Sequence, residues 1–187
     1  SPNLCAYIAP LRYCRIHAIG NPICPNRVQQ KEMMDGWAKI AGQQGYYGYM
    51  YHCAEATVPF SQISRCKTDF PYLADKGCIA LTLEVLTNWN IYGPHLYLTS
   101  RMAYNPRANV DEIMEEYFMM FYGAKAGPIM KKYWMDIDDA FARLDCHAGS
   151  FFAVHQVYTP EFLAKLQQHI DEATAAAKGN KKHEDRV

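Results

Sequence analysis

The sequence predicts an α/β fold, in which parallel strands alternate with helices and a helical region follows. Three observations in the 187 residues support this prediction. Residues 77–90 begin with glycine and contain a nearly continuous apolar run, which is typical of a strand buried on both faces. Two strand-like runs precede it, each separated from the next by a helical pattern. After Trp89 the hydrophobic spacing becomes helical.

Residues 1–90 form the first predicted domain, with the order strand, helix, strand, helix, strand. Pro10 divides the first strand into two apolar pieces, and Gly77 stands just past the end of the second helix. This order builds a parallel sheet or a (β/α) barrel, although three strands are too few to close an eight-stranded barrel. The predicted elements are a strand at 4–19, a helix at 29–41, a strand at 45–54, a helix at 69–77 and a strand at 77–88.

The remaining residues, 91–187, are predicted to form a helical extension. Asn109, with Glu112 three residues later, has the pattern of a capping box, and Gly123 is predicted to end the helix that begins there. Thr159 and the proline after it mark the start of another helix. The predicted helices cover residues 92–104, 109–123, 128–144 and 159–173.

The composition argues against several classes of partner. Lys and Arg number 19, as do Asp and Glu, so the formal net charge is zero. Because nucleic-acid affinity depends on clustered basic side chains, and no basic run lies outside residues 181–183, we expect no nucleic-acid partner. No segment is long and apolar enough to predict a membrane span. Fourteen tyrosines, eight phenylalanines and three tryptophans supply flat faces that suit sugar rings as well as protein cores.

The seven cysteines are dispersed without a CxxC pair, so they resemble neither a disulfide framework nor a zinc ribbon. We expect most of them to be free and buried. Cys14 with His17, and His52 with Cys53, are conceivable metal ligands, but their spacing is not that of a zinc finger. The sequence therefore predicts no metal and no other cofactor.

Polar and aromatic side chains cluster where two predicted strands end. Glu84, Asn88 and Trp89 follow the apolar run of the third strand, and the alternation of the second strand puts Tyr49 and Tyr51 on one face. In parallel α/β folds ligands bind at the carboxyl ends of the strands, so these side chains are candidate ligand contacts.

A structural role is the alternative for the same residues. Glu84 would then pair with a cation on a neighbouring strand, and Trp89 would fill the end of the barrel. The tyrosines would pack in its wall, with their hydroxyls hydrogen bonded to the backbone. A carboxylate inside an apolar strand is costly to bury without a partner, which favours a functional role. Glu55 is the other carboxylate near a predicted strand end.

Several stretches of the sequence resemble a known family. They are residues 70–77, Glu84, residues 97–106 and residues 118–126. They are similar to the C-terminal part of a bacterial carbohydrate-active family formerly filed as a domain of unknown function. Some of its members are similar to hexosaminidases and act as endo-β-N-acetylglucosaminidases on N-glycans. The resemblance covers about residues 1–145 and rests most on the Asn-Pro pair at 105–106 and the Tyr-Gly-Ala helix end at 122–124.

The resemblance implies a (β/α)8 TIM-type barrel, of which this chain holds the last three strands and a helical C-terminal domain. In such hexosaminidase-like enzymes the acetamido oxygen of the substrate is the nucleophile, in a substrate-assisted retaining mechanism. The acid/base carboxylates lie on earlier strands, which this chain lacks. The remainder of the barrel is then expected in the same longer protein or on another chain. The implied location is extracytoplasmic in bacteria, in the periplasm or at the cell surface.

On that template the strands present supply the sugar-holding side of the pocket. Tyr49 or Tyr51 would orient the acetamido group, and Trp89 would stack under a pyranose ring. The remaining candidates would bind sugar hydroxyl groups: His52, Glu84 and Asn88. Two alternatives stay open, a non-catalytic carbohydrate-binding protein and a structural helical interaction protein.

Overall fold

The computed structural model describes residues 3–41, 43–51, 57–86, 88–145, 147 and 154–187. Helices dominate this part of the chain. In order, its elements are β1 (Cys5–Ile8), α1 (Pro25–Ala41), β2 (Gln43–Tyr49), α2 (Ile63–Asp75), β3 (Cys78–Glu84), α3 (Trp89–Tyr104), α4 (Val110–Ala142), α5 (Val154–Val157), α6 (Pro160–Ala177) and α7 (Lys181–Glu184).

The strands form one parallel sheet in the order β1, β2, β3. The predicted fold class, an α/β fold with the last strands of a (β/α)8 TIM-type barrel, is wrong. Helices make up 61% of the structure, and the three strands form a small sheet that is not a barrel. Alternating strands and helices are common to open sheets and barrels, and only the strand count and tilt distinguish them. The described sheet therefore gives no support for a barrel remainder as a partner.

The prediction that β3 is buried on both faces is also wrong. Ile79 is 62% exposed and Thr82 is exposed. One face of the sheet packs on α1 and α2 through a small apolar cluster of Ile8, Ile19, Met34, Tyr46 and Leu73. The opposite face is partly open, and it carries Tyr7, Tyr47, Tyr49, Thr82 and Glu84.

The second half of the first predicted strand, residues 12–19, is a loop of turns and bends. It is nevertheless largely buried. Burial of this loop is tolerated because long-range hydrogen bonds pair some of its backbone polar groups. The amide of Ile19 donates to Asp69 Oδ1 at 2.7 Å, and Arg65 Nη1 donates to the carbonyl oxygen of Arg15 at 2.7 Å. Apolar residues alone could not predict these partners, which lie about fifty residues away in α2.

The helix starts predicted at Asn109 and Thr159 are confirmed, whereas Pro128, predicted to begin a helix, lies inside α4. The Asn109 side chain accepts hydrogen bonds from the amides of Asp111 and Glu112, and the Thr159 hydroxyl accepts one from the amide of Phe162. These bonds satisfy donors that the first turn of a helix leaves unpaired. At the start of α2, a residue from another helix accepts hydrogen bonds from the unpaired backbone amides. The buried carboxylate of Asp138 in α4 accepts from the amides of Ile63 and Ser64 at 2.8 and 3.0 Å, which ties α4 to α2.

Gly123 ends the first helical part of α4, as predicted, and a second helical part follows directly after this kink. Its φ of 81° is unfavourable for residues with a Cβ. The His183 ring occupies the space beside it, 2.3 Å from where a Cβ would lie. Arg186 Nη1 donates to the carbonyl oxygen of Phe121 at 2.8 Å, so the chain after α7 covers the kink.

The main core draws on residues from both sides of position 90. It joins the loop after β1 to α2, α3, α4 and α6, and its largest fully buried aromatic side chains are Phe60, Tyr92, Phe118, Trp134 and Phe141. None of the helices in the described part of the chain combines the length and the apolar character that a bilayer crossing requires.

Candidate functional site

The carboxyl edge of the sheet brings together the ends of β2 and β3. Tyr49 and Glu84 are partners in the parallel register. The amide of Met50 donates to the carbonyl oxygen of Glu84 at 2.9 Å, which continues the pairing one residue beyond β2. Tyr51 follows directly, and its side chain contacts the same glutamate.

The carboxylate of Glu84 accepts hydrogen bonds from two phenols. Tyr47 Oη donates to Oε2 at 2.6 Å, and Tyr51 Oη donates to Oε1. A carboxylate can accept about four hydrogen bonds, so these two contacts leave acceptor capacity. Because Glu84 is partly exposed, that capacity is within reach of a ligand.

These contacts keep Glu84 ionised. The hydrogen bonds from Tyr47 and Tyr51 hold the pKa of the Glu84 carboxyl below its ordinary value, since both stabilise the charged form. The same bond raises the pKa of the Tyr47 phenol, which keeps its proton beside the carboxylate. At neutral pH the cluster is therefore one carboxylate with two neutral phenols, which is suited to accepting hydrogen bonds and poorly suited to donating a proton.

Arg15 supplies a cation next to this cluster. Its side chain is buried, with 3% of the residue exposed, and its guanidinium carbon lies 4.3 Å from the centre of the Tyr49 ring. Nη2 donates to the carbonyl oxygen of Leu11, which helps to hold the side chain in place. A desolvated cation over an aromatic face is stabilising. The positive charge of Arg15 also contributes to the lowered pKa of Glu84.

The open face of the sheet continues away from this edge as a polar and aromatic surface. The Tyr7 ring crosses over Gly45, where a Cβ would lie 2.0 Å from it, so only glycine leaves room for this ring. Tyr7 Oη is hydrogen bonded to Thr82 Oγ1 on β3. The rings of Tyr47 and Tyr49 are 5.3 Å apart.

The structure brings three of the six predicted site residues together. Tyr49, Tyr51 and Glu84 meet at the carboxyl edge of the sheet. The alternative that Glu84 only pairs with a cation on a neighbouring strand does not describe its contacts, since its hydrogen bonds come from phenols. His52 lies outside the described residues, as does Glu55.

Asn88 and Trp89 lie at the start of α3 and not in the Glu84 cluster. Asn88 is the exposed N-cap residue of this helix. Trp89 is 58% exposed and lines a cavity of about 340 Å³ between helices. Other residues lining that cavity are Tyr117, Phe121, Tyr122, Trp134 and Arg186. The indole is thus available as a flat surface, but its described surroundings belong to the helical region.

Two residues of the cluster were not among the predicted site residues. Tyr47 belongs to the aromatic alternation of β2, so its shared face with Tyr49 and Tyr51 was a usable signal. Arg15 had no such signal, because the run from 12 to 19 was assigned to a strand and its contact with Tyr49 depends on the fold of a loop.

A family model described as a domain of unknown function (DUF4838) matches residues 2–135. That description carries no activity. No curated protein and no solved structure matches the chain. The family match covers more than two thirds of the sequence, and the whole Glu84 cluster lies inside it. The chain therefore belongs to the DUF4838 family.

Proposed function

We propose that this chain supplies the carbohydrate-holding part of a glycoside hydrolase that resembles endo-β-N-acetylglucosaminidases and acts on N-glycans. The observation that carries the proposal is the partly exposed Glu84 carboxylate, which two phenols hold at the open carboxyl edge of a parallel sheet. Ligands of parallel α/β sheets commonly bind outside this edge.

The chemistry of the cluster fits sugar hydroxyl groups. An ionised carboxylate forms stronger hydrogen bonds with hydroxyl donors than a neutral acceptor does. The two phenols fix the orientation of Glu84 before a ligand arrives, which lowers the entropic cost of binding. Tyr7 and Tyr49 add aromatic surface on the same face of the sheet, and such faces pack against the C–H groups of pyranose rings.

Tyr51 is the residue that we assign to the acetamido group of N-acetylglucosamine. Its hydrogen bond to Glu84 holds the phenol at the open edge of the sheet. The phenol would hydrogen bond the acetamido group and so orient the acetamido oxygen toward the anomeric carbon. This orientation is what a substrate-assisted retaining mechanism requires. Tyr51 acts here as an orienting residue.

Glu84 is assigned to substrate binding and not to proton transfer. Its lowered pKa keeps it ionised at neutral pH, whereas the general acid of a glycosidase must carry a proton. Protonation of the leaving-group oxygen is therefore assigned to a carboxyl group outside this cluster. The same observation favours a second candidate function, carbohydrate binding without catalysis, because binding needs only the ionised form.

Trp89 provides a stacking surface for a second sugar. It follows Glu84 by five residues and is largely exposed. A glycan bound at Glu84 would extend toward α3, where the exposed residue Asn88 would contact its hydroxyl groups. We further propose that the protein acts where bacteria meet glycans, in the periplasm or at the cell surface.

Binding and turnover of N-acetylglucosamine glycans test the proposal. Chitobiose and a biantennary N-glycan are titrated by calorimetry into the full-length protein that contains this chain, and its release of the N-glycan from a glycoprotein is followed by mass spectrometry. We expect Glu84→Gln to weaken glycan binding by about tenfold, as for loss of one charge-assisted hydrogen bond. Tyr51→Phe should lower turnover more than binding.

Glu116→Gln is the matched control. Glu116 also accepts a hydrogen bond from a phenol, that of Tyr97 at 2.5 Å, and one from Arg101 at 2.6 Å, but it lies on the helical surface. Its replacement should leave glycan affinity unchanged. Binding without glycan release would select the non-catalytic candidate. Failure of the wild-type protein to bind either glycan, or equal affinity of Glu84→Gln and wild type, would overturn the proposal.

A further inference from the structure

Two cysteines and a histidine converge between the start of α1 and the chain after α4. The Sγ atoms of Cys14 and Cys24 and a ring nitrogen of His147 all lie within 4.8 Å of one another. Both cysteines are buried and neither forms a disulfide bond, while His147 is exposed. His147 is far from both cysteines in the sequence, so tertiary structure brings it to them.

His17 is oriented as a fourth member of this cluster. Its Nε2 lies 2.7 Å from the carbonyl oxygen of Leu144, and because a carbonyl only accepts, Nε2 must carry the proton. In a neutral imidazole Nδ1 then has the free lone pair, and it lies 3.3 Å from the Sγ of Cys14. A histidine that donates one ring N–H to a backbone carbonyl and presents the other nitrogen is the usual arrangement of a metal ligand.

We propose that Cys14, His17, Cys24 and His147 bind a structural zinc ion. Two thiolates and two imidazoles form one of the common closed tetrahedral zinc sites. In such a site neighbouring ligand atoms are about 3.3 to 3.8 Å apart, by tetrahedral geometry with Zn–S near 2.3 Å and Zn–N near 2.0 Å. The contact of 3.3 Å between Cys14 and His17 meets this spacing, and the ligand atoms of Cys14, Cys24 and His147 lie within 4.8 Å of one another. His17 is outside that three-residue group, so its Nδ1 would have to move closer to Cys24 and His147 to become the fourth ligand.

The surroundings of the four residues are arranged to hold them. Asn26 Oδ1 accepts a hydrogen bond from the amide of Cys14 at 2.6 Å, which fixes the loop after β1 against the start of α1. Cys24 immediately precedes α1, and its carbonyl oxygen accepts from the amides of Arg27 and Val28. Ligands held by such outer contacts lose less entropy when a metal binds.

Zinc binding would join two distant parts of the chain. The loop after β1 carries Cys14 and His17, and the segment after α4 carries His147. Coordination forms two Zn–S and two Zn–N bonds, and each thiol releases its proton to the solvent. Arg15 follows Cys14 directly, so the same ion would fix the backbone that presents Arg15 to Tyr49. This inference does not depend on the proposed glycan function.

Metal titration of the reduced, chelator-treated protein tests the site. We expect one equivalent of Zn²⁺ to bind and to raise the melting temperature. Co²⁺ should bind at the same site and give the visible bands of tetrahedral cobalt, together with thiolate-to-cobalt charge transfer in the near ultraviolet. A wild-type protein that binds neither ion would overturn the proposal, as would isolation of the native protein with Cys14 and Cys24 joined in a disulfide and without zinc.

Substitutions of the exposed ligand keep the test independent of folding. His147→Ala should weaken Zn²⁺ binding by more than about tenfold and alter the cobalt spectrum, since losing a ligand must cost at least as much as losing an outer contact. His155→Ala, at another exposed histidine, should bind both ions as wild type does. Equal zinc affinity of His147→Ala and His155→Ala would remove His147 from the site and overturn the four-ligand assignment.

Discussion

Asp69 and Glu84 are both carboxylates held by several donors, and they differ in what surrounds them. Asp69 in α2 is buried and accepts from Arg27 Nη2 at 2.9 Å, from Arg65 Nε at 3.0 Å and from the amide of Ile19 at 2.7 Å. Glu84 at the end of β3 is partly exposed, and its described donors are two phenols.

Solvent exposure separates a carboxylate with a structural role from one that a ligand can reach. The donors around Asp69 are cations and a backbone amide from three different segments, so it holds α1, α2 and the loop after β1 together. Water and ligands have no access to it, because Asp69 and both arginines are buried. Glu84 lies on an open face with unused acceptor capacity. Accessibility to solvent, more than the number of hydrogen bonds, distinguishes the two.

The largest effect is expected for Asp69→Asn. The change leaves two buried guanidinium groups without their counter-ion, and breaking a buried ion pair in this way costs about 3–5 kcal/mol. Urea unfolding followed by circular dichroism measures the loss. The control is Asp75→Asn on the same helix, where an exposed pair with Arg107 should contribute little. If both variants unfold at the same urea concentration, Asp69 does not hold α1, α2 and the loop after β1 together.

A smaller loss of stability is expected for Glu84→Gln, about 1 kcal/mol, because the site is partly exposed and the amide oxygen still accepts one phenol. The same urea experiment measures it. A loss as large as that of Asp69→Asn would make Glu84 a structural residue and would break the comparison.

The pH dependence of the stability difference between wild type and Glu84→Gln gives a further test. The folded pKa of Glu84 is below its ordinary value of 4.5. Its ionised form therefore stabilises the fold fully above pH 4.5, and this contribution is lost as the pH falls through the lower folded pKa. We expect the stability difference between wild type and Glu84→Gln to be constant from neutral pH down to about pH 5 and to shrink below it. A difference that grows on acidification would contradict the assigned sign.

The smallest effect is expected for Glu116→Gln. Glu116 binds Tyr97 and Arg101 in an arrangement like that of Glu84, but it bridges α3 and α4 at the helical surface, where the Arg101 and Glu116 side chains are 44% and 41% exposed. Exposed pairs of this kind contribute little to stability. We expect no measurable change in the melting temperature, and a clear decrease would show that surface phenol–carboxylate pairs matter more here than their exposure suggests.

Local features were well predicted from the sequence. The helix starts at Asn109 and Thr159 depend on side chains within three residues of the bonds they make. The aromatic face of β2 follows from strand alternation alone. Gly123 ends a helical part as predicted, but the pattern did not show that a second helical part follows at once or that the His183 ring packs beside the glycine.

The candidate site was predicted only in part. Tyr49, Tyr51 and Glu84 were identified because parallel strands bring their carboxyl ends to one edge. Trp89 is close to them in the sequence, but it is the first residue of α3 and lines a cavity in the helical region. Arg15 was missed, since its place beside Tyr49 is set by contacts of the loop after β1 with α2.

The sequence by itself determined the helix starts at Asn109 and Thr159, the order of strands and helices, and the aromatic and acidic residues at the ends of β2 and β3. These depend on spacing and capping over a few residues, where the interacting groups are neighbours in the chain. Tertiary structure decided that the sheet is small and partly open on one face, and that Asp69 is buried whereas Glu84 is partly exposed. It also decided that Cys14 and Cys24 lie close to His147. The reason is physical: burial and convergence result from contacts between residues tens to more than a hundred positions apart, and no local pattern encodes which of these contacts forms.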